Sequence, residues 1–182
     1  MIRNQIMRLG KVCVLVCALS LSVVLMMGCA AGEKAKTPAE LNRAYMASVS
    51  QSIEDLGTEL DSFVDAVGEN DLAAMKIASE RAGKAMEAVK NLTAPEAMTD
   101  VHSEYCAGID ALQSALSSYV DLYTQVEAGS ISASDLKAQL SSVQKVYEDG
   151  IKHLEKGDSL VMTLAGADKD AANAQDSSAS AE

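Results

Sequence analysis

The sequence predicts an all-α protein, an antiparallel up-down-up-down four-helix bundle, and three observations carry that expectation. Four stretches between residues 37 and 164 repeat apolar residues at steps of three and four, the period that lays a stripe along one side of an α-helix. Turn signals separate the stretches at Gly68-Glu69-Asn70-Asp71, from Asn91 to Pro95, and at Glu127-Ala128-Gly129-Ser130. The loops are short, so each returns the chain alongside the helix it has just left. A long coiled coil is the competing architecture, and the same turn signals count against it. No internal period of about 20 to 50 residues marks a solenoid.

Thr37-Pro38-Ala39-Glu40 opens the first helix by combining a capping box with proline at the first helical position. Its stripe is Leu41, Tyr45, Val49, Ile53, Leu56, Leu60, Phe63 and Val67, with a stop at Gly68 to Asp71. The second helix opens near Asn70 and ends near Asn91. It carries Leu72, Met75, Ala78, Ala82, Met86 and Val89, whose alanines allow a neighbouring helix to approach closely. Thr93-Ala94-Pro95-Glu96 repeats the capping signal with the proline one place later, and a third stripe runs from Met98 through Val101, Tyr105, Ile109, Leu112, Leu116, Tyr119 and Tyr123 to Val126. Ser132 or Ser134 caps the fourth helix, with Leu136, Leu140, Val143, Tyr147, Ile151 and Leu154 on its stripe, and the helix either breaks at Gly157 or runs through it to Leu160, Val161 and Leu164. Residues 165–182 are Ala, Asp and Ser without an apolar period, and are expected to form a disordered acidic tail.

Ahead of the bundle, Arg3, Arg8 and Lys11 precede an apolar run from Val12 to Met27, with no acid before Glu33, the charge layout of a bacterial export signal. The run closes on Leu25-Met26-Met27-Gly28-Cys29, which resembles the lipobox of bacterial lipoproteins, where a small residue precedes the cysteine that receives diacylglycerol. Gly28 and Cys29 fit; Met26 and Met27 depart from the aliphatic and small residues usual there. The resemblance implies residues 1–28 as a cleaved signal peptide and Cys29 as the lipidation site, which leaves 29–36 as a linker to the bundle that the periodicity predicts over 37–164. Two other readings of the segment stand beside it: ordinary cleavage after Ala30-Ala31, or an uncleaved membrane helix.

Removing residues 1–28 from the 182 leaves 154, enough for one domain with a core. That removal takes away Arg3, Arg8 and Lys11 and no acid, so 12 basic residues face 26 acidic ones and the net charge is −14. Such a surface repels nucleic acid and anionic lipid headgroups. Cys13 and Cys17 leave with the signal and Cys29 is acylated, so Cys106 would be the one thiol left and no intramolecular disulfide forms.

The mature stretch contains no Gly-x-Ser-x-Gly elbow, phosphate loop, His-Glu-x-x-His or Cys-x-x-Cys-His, and Thr99 and Gly150 stand where a Glu-x-x-His pair would need glutamate. The expected function is therefore non-catalytic: binding or envelope scaffolding by a lipid-anchored protein on the extracytoplasmic side, with an envelope protein or small ligand as partner and no cofactor. One constellation supports an alternative. Met98, His102 and Cys106 recur every fourth residue on one side of helix three, and an up-down bundle brings Met46, Met86 and His153 to the same end. These are donors that soft metals and haem iron prefer, so a haem or copper carrier is the alternative function. The layout also loosely resembles periplasmic four-helix b-type cytochromes, with Met46 and His153 in the ligand positions. Aromatic residues make up only 3% of the chain, which leaves little to sandwich a porphyrin.

Overall fold

The computed structural model describes residues 36–179, with side chains described through Gly166. The export-like run and Cys29 lie outside the described residues. Within them the chain is all-helical, with no strand: α1 spans Pro38–Glu69, α2 Leu72–Lys90, α3 Thr99–Glu127 and α4 Ala133–Ala179, and a 3-10 turn at Glu96–Met98 leads into α3. Among the described residues no helix is long and apolar enough to cross a membrane.

The helix boundaries follow from local hydrogen bonding. Thr37 and Glu40 form the expected reciprocal cap, with the Glu40 N–H donating to Thr37 Oγ1 at 3.3 Å and the Thr37 N–H donating to Glu40 Oε2 at 2.7 Å. α1 does not stop at Gly68, which stays helical. Asn70 adopts the left-handed conformation instead (φ 57°), while Asp71 N–H donates to the Ala66 carbonyl at 3.0 Å, the closure normally made around a glycine. Asp71 then caps α2 by accepting from the Ala74 N–H at 2.9 Å. Glycine does take that role at the end of α3, where Gly129 (φ 63°) lets Ser130 N–H reach the Gln125 carbonyl at 3.0 Å.

The start of α3 departs from expectation. Thr93 could cap only if Ala94 were helical, but a residue preceding proline is pushed toward extended backbone. Pro95 therefore leads into the 3-10 turn without a side-chain cap, and α-helical geometry begins at Thr99. At the other junction Ser132 is the cap: the Asp135 N–H donates to its Oγ at 3.2 Å.

The core stacks in three layers. At one end Phe63, Ala66, Val67, Met75, Ala78 and Val120 pack together; in the middle Leu56, Ala82, Met86, Val89, Ile109 and Leu112; at the other end Tyr45, Val49, Met98, Val101 and Tyr105. Every residue expected on the α2 stripe except Leu72 is buried. On α1 and α3 the stripe frays at its tips, where Leu41 (43% exposed) and Val126 (41%) face outward and Asn42 is buried in place of Leu41. α4 joins late. Leu136, Leu140 and Val143 are only half-buried, and its contributions to the layers begin at Tyr147 and extend to Leu164.

Of the two courses the sequence leaves open at Gly157, α4 takes the continuous one. Glycine is there because Tyr105 lies against it: a Cβ at that position would sit 2.6 Å from the ring. Gly108 of α3 and Gly150 of α4 face each other in the same way, a Cβ on either meeting the other's carbonyl oxygen at 2.9 Å. The helical backbone continues to Ala179, into the segment read from sequence as a tail.

Candidate functional site

The first turns of α3 hold two of the six side chains that the sequence singled out, His102 and Cys106, and the 3-10 turn before it holds a third, Met98. One turn apart, His102 and Cys106 meet, with Nε2 3.5 Å from Sγ. On its other edge His102 Nδ1 lies 2.9 Å from the Tyr45 hydroxyl of α1, and the two rings stand edge to face. A neutral imidazole has one N–H, so this chain of contacts has a direction. Either Tyr45 donates to Nδ1 and Nε2–H donates to sulfur, or Nδ1–H donates to Tyr45 and Nε2 accepts from the thiol. Burial pushes the Tyr45 hydroxyl up to about 12, so it remains a neutral phenol. Burial, then the nearby Asp110 carboxylate, likewise raises the Cys106 thiol above its ordinary range, with Lys90 opposing.

His153 does not join that group. Its Nδ1 is 2.7 Å from Glu104 Oε2, and Lys156 Nζ donates to the other oxygen of the same carboxylate at 2.6 Å. Those two partners, Lys156 foremost, hold Glu104 below the usual carboxylate value. Beside this clamp the Tyr105 hydroxyl donates to Asp158 at 2.7 Å, and burial raises its pKa further above the ordinary phenol value. Lys90, at the end of α2, bridges Asp110 at 2.8 Å and Glu87 at 3.0 Å, which raises its pKa in that order of cause.

The methionines divide among the layers. Met98 and Met46 pack in the Tyr45 layer, whereas Met86, fully buried, belongs to the middle one. Of the six residues considered as ligands, the structure thus joins His102 to Cys106 directly, places Met46 and Met98 in the layer that contains Tyr45, and gives Met86 and His153 other neighbours. Among the described residues no group of three or more His, Cys, Asp and Glu side chains is placed to hold a metal ion.

Tyr45, Glu104, Tyr105 and Asp158 escaped sequence reasoning as polar participants. Both tyrosines were legible only as members of apolar stripes. The available signal was general: a buried tyrosine hydroxyl needs a partner, which makes its neighbours on facing helices worth a search.

The far end offers an open hollow of about 530 Å³ where the α1–α2 turn meets the end of α3, lined by Glu69, Asn70, Asp71, Lys76 and Glu127 among others. Asn70 of that lining accepts at Oδ1 from the Tyr123 hydroxyl at 2.7 Å. Its carboxylates are solvated and near the ends of helices.

Comparison with protein families, curated proteins and solved structures returns no match.

Proposed function

We propose that this chain is an exported lipoprotein, anchored through an acylated Cys29, whose helical domain is a non-catalytic binding or scaffolding module on the extracytoplasmic side of a cell envelope. The observation that carries the reading is the charge-led apolar run ending in Gly28-Cys29, because a small residue before cysteine at the close of an export signal is what lipid transfer requires.

The domain's architecture in this proposal is an antiparallel up-down-up-down bundle, and cross-helix pairs support it. Partners on α4 fall in number as those on α3 rise, from Tyr105 with Asp158 to Gly108 with Gly150. Lys90 with Asp110 and Gly83 beside Gln113 give α2 and α3 the same opposed register. By contrast α1 and α3 rise together, through Tyr45 with His102, Phe63 with Tyr119 and Asn70 with Tyr123. Such a bundle puts the start of α1, and with it the lipid, at the end where His102 and Cys106 lie.

The distribution of polar groups supports a module that binds over a catalyst. Its cross-helix polar cluster of Glu104, Tyr105, Asp158, His153 and Lys156 fastens α3 to α4. Labelled palmitate fed to cells should enter the protein, and Cys29→Ala should remove the label and release the chain from the membrane fraction. Undiminished labelling of that variant would overturn the anchor.

A further inference from the structure

His102 and Cys106 have the spacing of a chelate. A tetrahedral ion that holds an imidazole nitrogen at about 2.0 Å and a thiolate at about 2.3 Å sets those two atoms about 3.5 Å apart, whereas a linear two-coordinate ion sets them about 4.3 Å apart. The separation between Nε2 and Sγ is 3.5 Å. We propose that His102 and Cys106 form a two-residue site for a tetrahedral borderline cation of the Zn²⁺ class, with Tyr45 as the positioning residue that fixes the imidazole.

Three features of the surroundings support it. Tyr45 Oη, 2.9 Å from Nδ1, can accept the Nδ1–H of the tautomer whose Nε2 lone pair is free for a metal, the outer-shell contact that ligating histidines nearly always make. The two side chains are half-buried, so an ion can enter from solvent and water can fill the remaining positions. Asp110, one turn beyond Cys106, and Glu87 place negative charge near the sulfur, which favours a cation there, with Lys90 bridging the two carboxylates. Binding breaks the S–H bond, forms the sulfur–metal bond and releases one proton to solvent. No third His, Cys, Asp or Glu completes the set among the described residues, so the site is bidentate and open. It is independent of the acylation of Cys29.

The probe is Co²⁺, a spectroscopic stand-in for Zn²⁺, added in detergent to the reduced, chelator-treated full chain with Cys13, Cys17 and Cys29 replaced by serine, so that Cys106 is its one thiol. Thiolate-to-cobalt charge-transfer absorption should appear in the near ultraviolet, with tetrahedral ligand-field bands that Zn²⁺ abolishes. Cys106→Ser should remove the charge-transfer band, and His102→Gln should weaken Zn²⁺ binding at least about tenfold. Tyr45→Phe should weaken it by about tenfold, the usual scale for losing an orienting partner, at unchanged helicity. A band that survives Cys106→Ser, an affinity unmoved by His102→Gln, or no band from a natively helical chain would overturn the site. A measurement without variants stands beside these. Zn²⁺ should protect Cys106 from iodoacetamide, read by mass spectrometry of its peptide, and equal alkylation with and without the ion would also overturn it.

Discussion

Glu104 is held by Lys156 and His153 of another helix, and its stability contribution has a definite sign in pH. Lys156 and His153 hold its pKa below the ordinary carboxylate value of 4.5. A carboxylate whose folded pKa is depressed stabilises the fold above its unfolded pKa, and that contribution is lost as pH falls through the folded value. Thermal melts of wild type and Glu104→Gln should therefore differ at neutral pH, wild type being the more stable, and converge below about pH 4.5. A constant gap down to about pH 3 would show that the clamp contributes nothing by charge. This contact also marks where sequence reading stopped at the residue scale. His153 was visible as a donor and its height along α4 was calculable, but helical periodicity gives the face a residue occupies and not the side chain that meets it from another helix. The same held for His102: Cys106, four residues on, was foreseeable, while Tyr45, 57 residues earlier in the chain, was not.

Glycine in a helix interior has two opposite meanings, and α1 and the α3–α4 interface display both. Gly57 has nothing within 4 Å of where a Cβ would lie, so its cost is purely conformational. Gly57→Ala should raise stability by about 0.5–1 kcal/mol in denaturant unfolding. At Gly108 a Cβ would meet Leu154 at 2.8 Å and the Gly150 carbonyl at 2.9 Å, so the same substitution overpacks the interface. Gly108→Ala and Gly150→Ala should each lower stability by about 1–3 kcal/mol despite the gain in helix propensity. Stabilisation by either would mean that α3 and α4 can separate without penalty. The distinction also decides between the two courses open at Gly157. Helix propensity alone leaves a break open there, whereas the glycine serves packing, because Tyr105 occupies the space of a Cβ. Boundaries set by local chemistry, such as the Thr37 box and the Gly129 closure, were legible; the α3 start was misread because Pro95 one place later changes the backbone of Ala94.

Across the whole molecule, apolar periodicity finds the buried faces of α1, α2 and α3, since those stripes are buried along most of their length. It overstated α4, whose Leu136, Leu140 and Val143 have the right spacing but stay half-buried. A stripe states that a helix has an apolar face, and only the neighbours decide how much of that face is covered. The same reasoning fixes what the end of α4 contributes. Its apolar contacts extend to Leu160, Val161 and Leu164 in the Tyr45 layer, and the residues after Gly166 are Ala, Asp, Ser, Asn, Gln, Lys and Glu, with no apolar residue larger than alanine. A helix that buries no apolar face draws little stability from packing, whatever its backbone conformation. Ending the chain at Gly166 should therefore shift the melting temperature by less than about 4 °C, the scale of one kcal/mol for a domain of this size. Ending it at Asp158 removes three residues of the Tyr45 layer while keeping the Tyr105 hydrogen bond, and should lower the melting temperature by more than the first truncation. If the first truncation costs more than about 4 °C, residues beyond Gly166 pack on the protein, and if the two cost the same, Leu160, Val161 and Leu164 add no stability and the folded unit ends nearer Asp158.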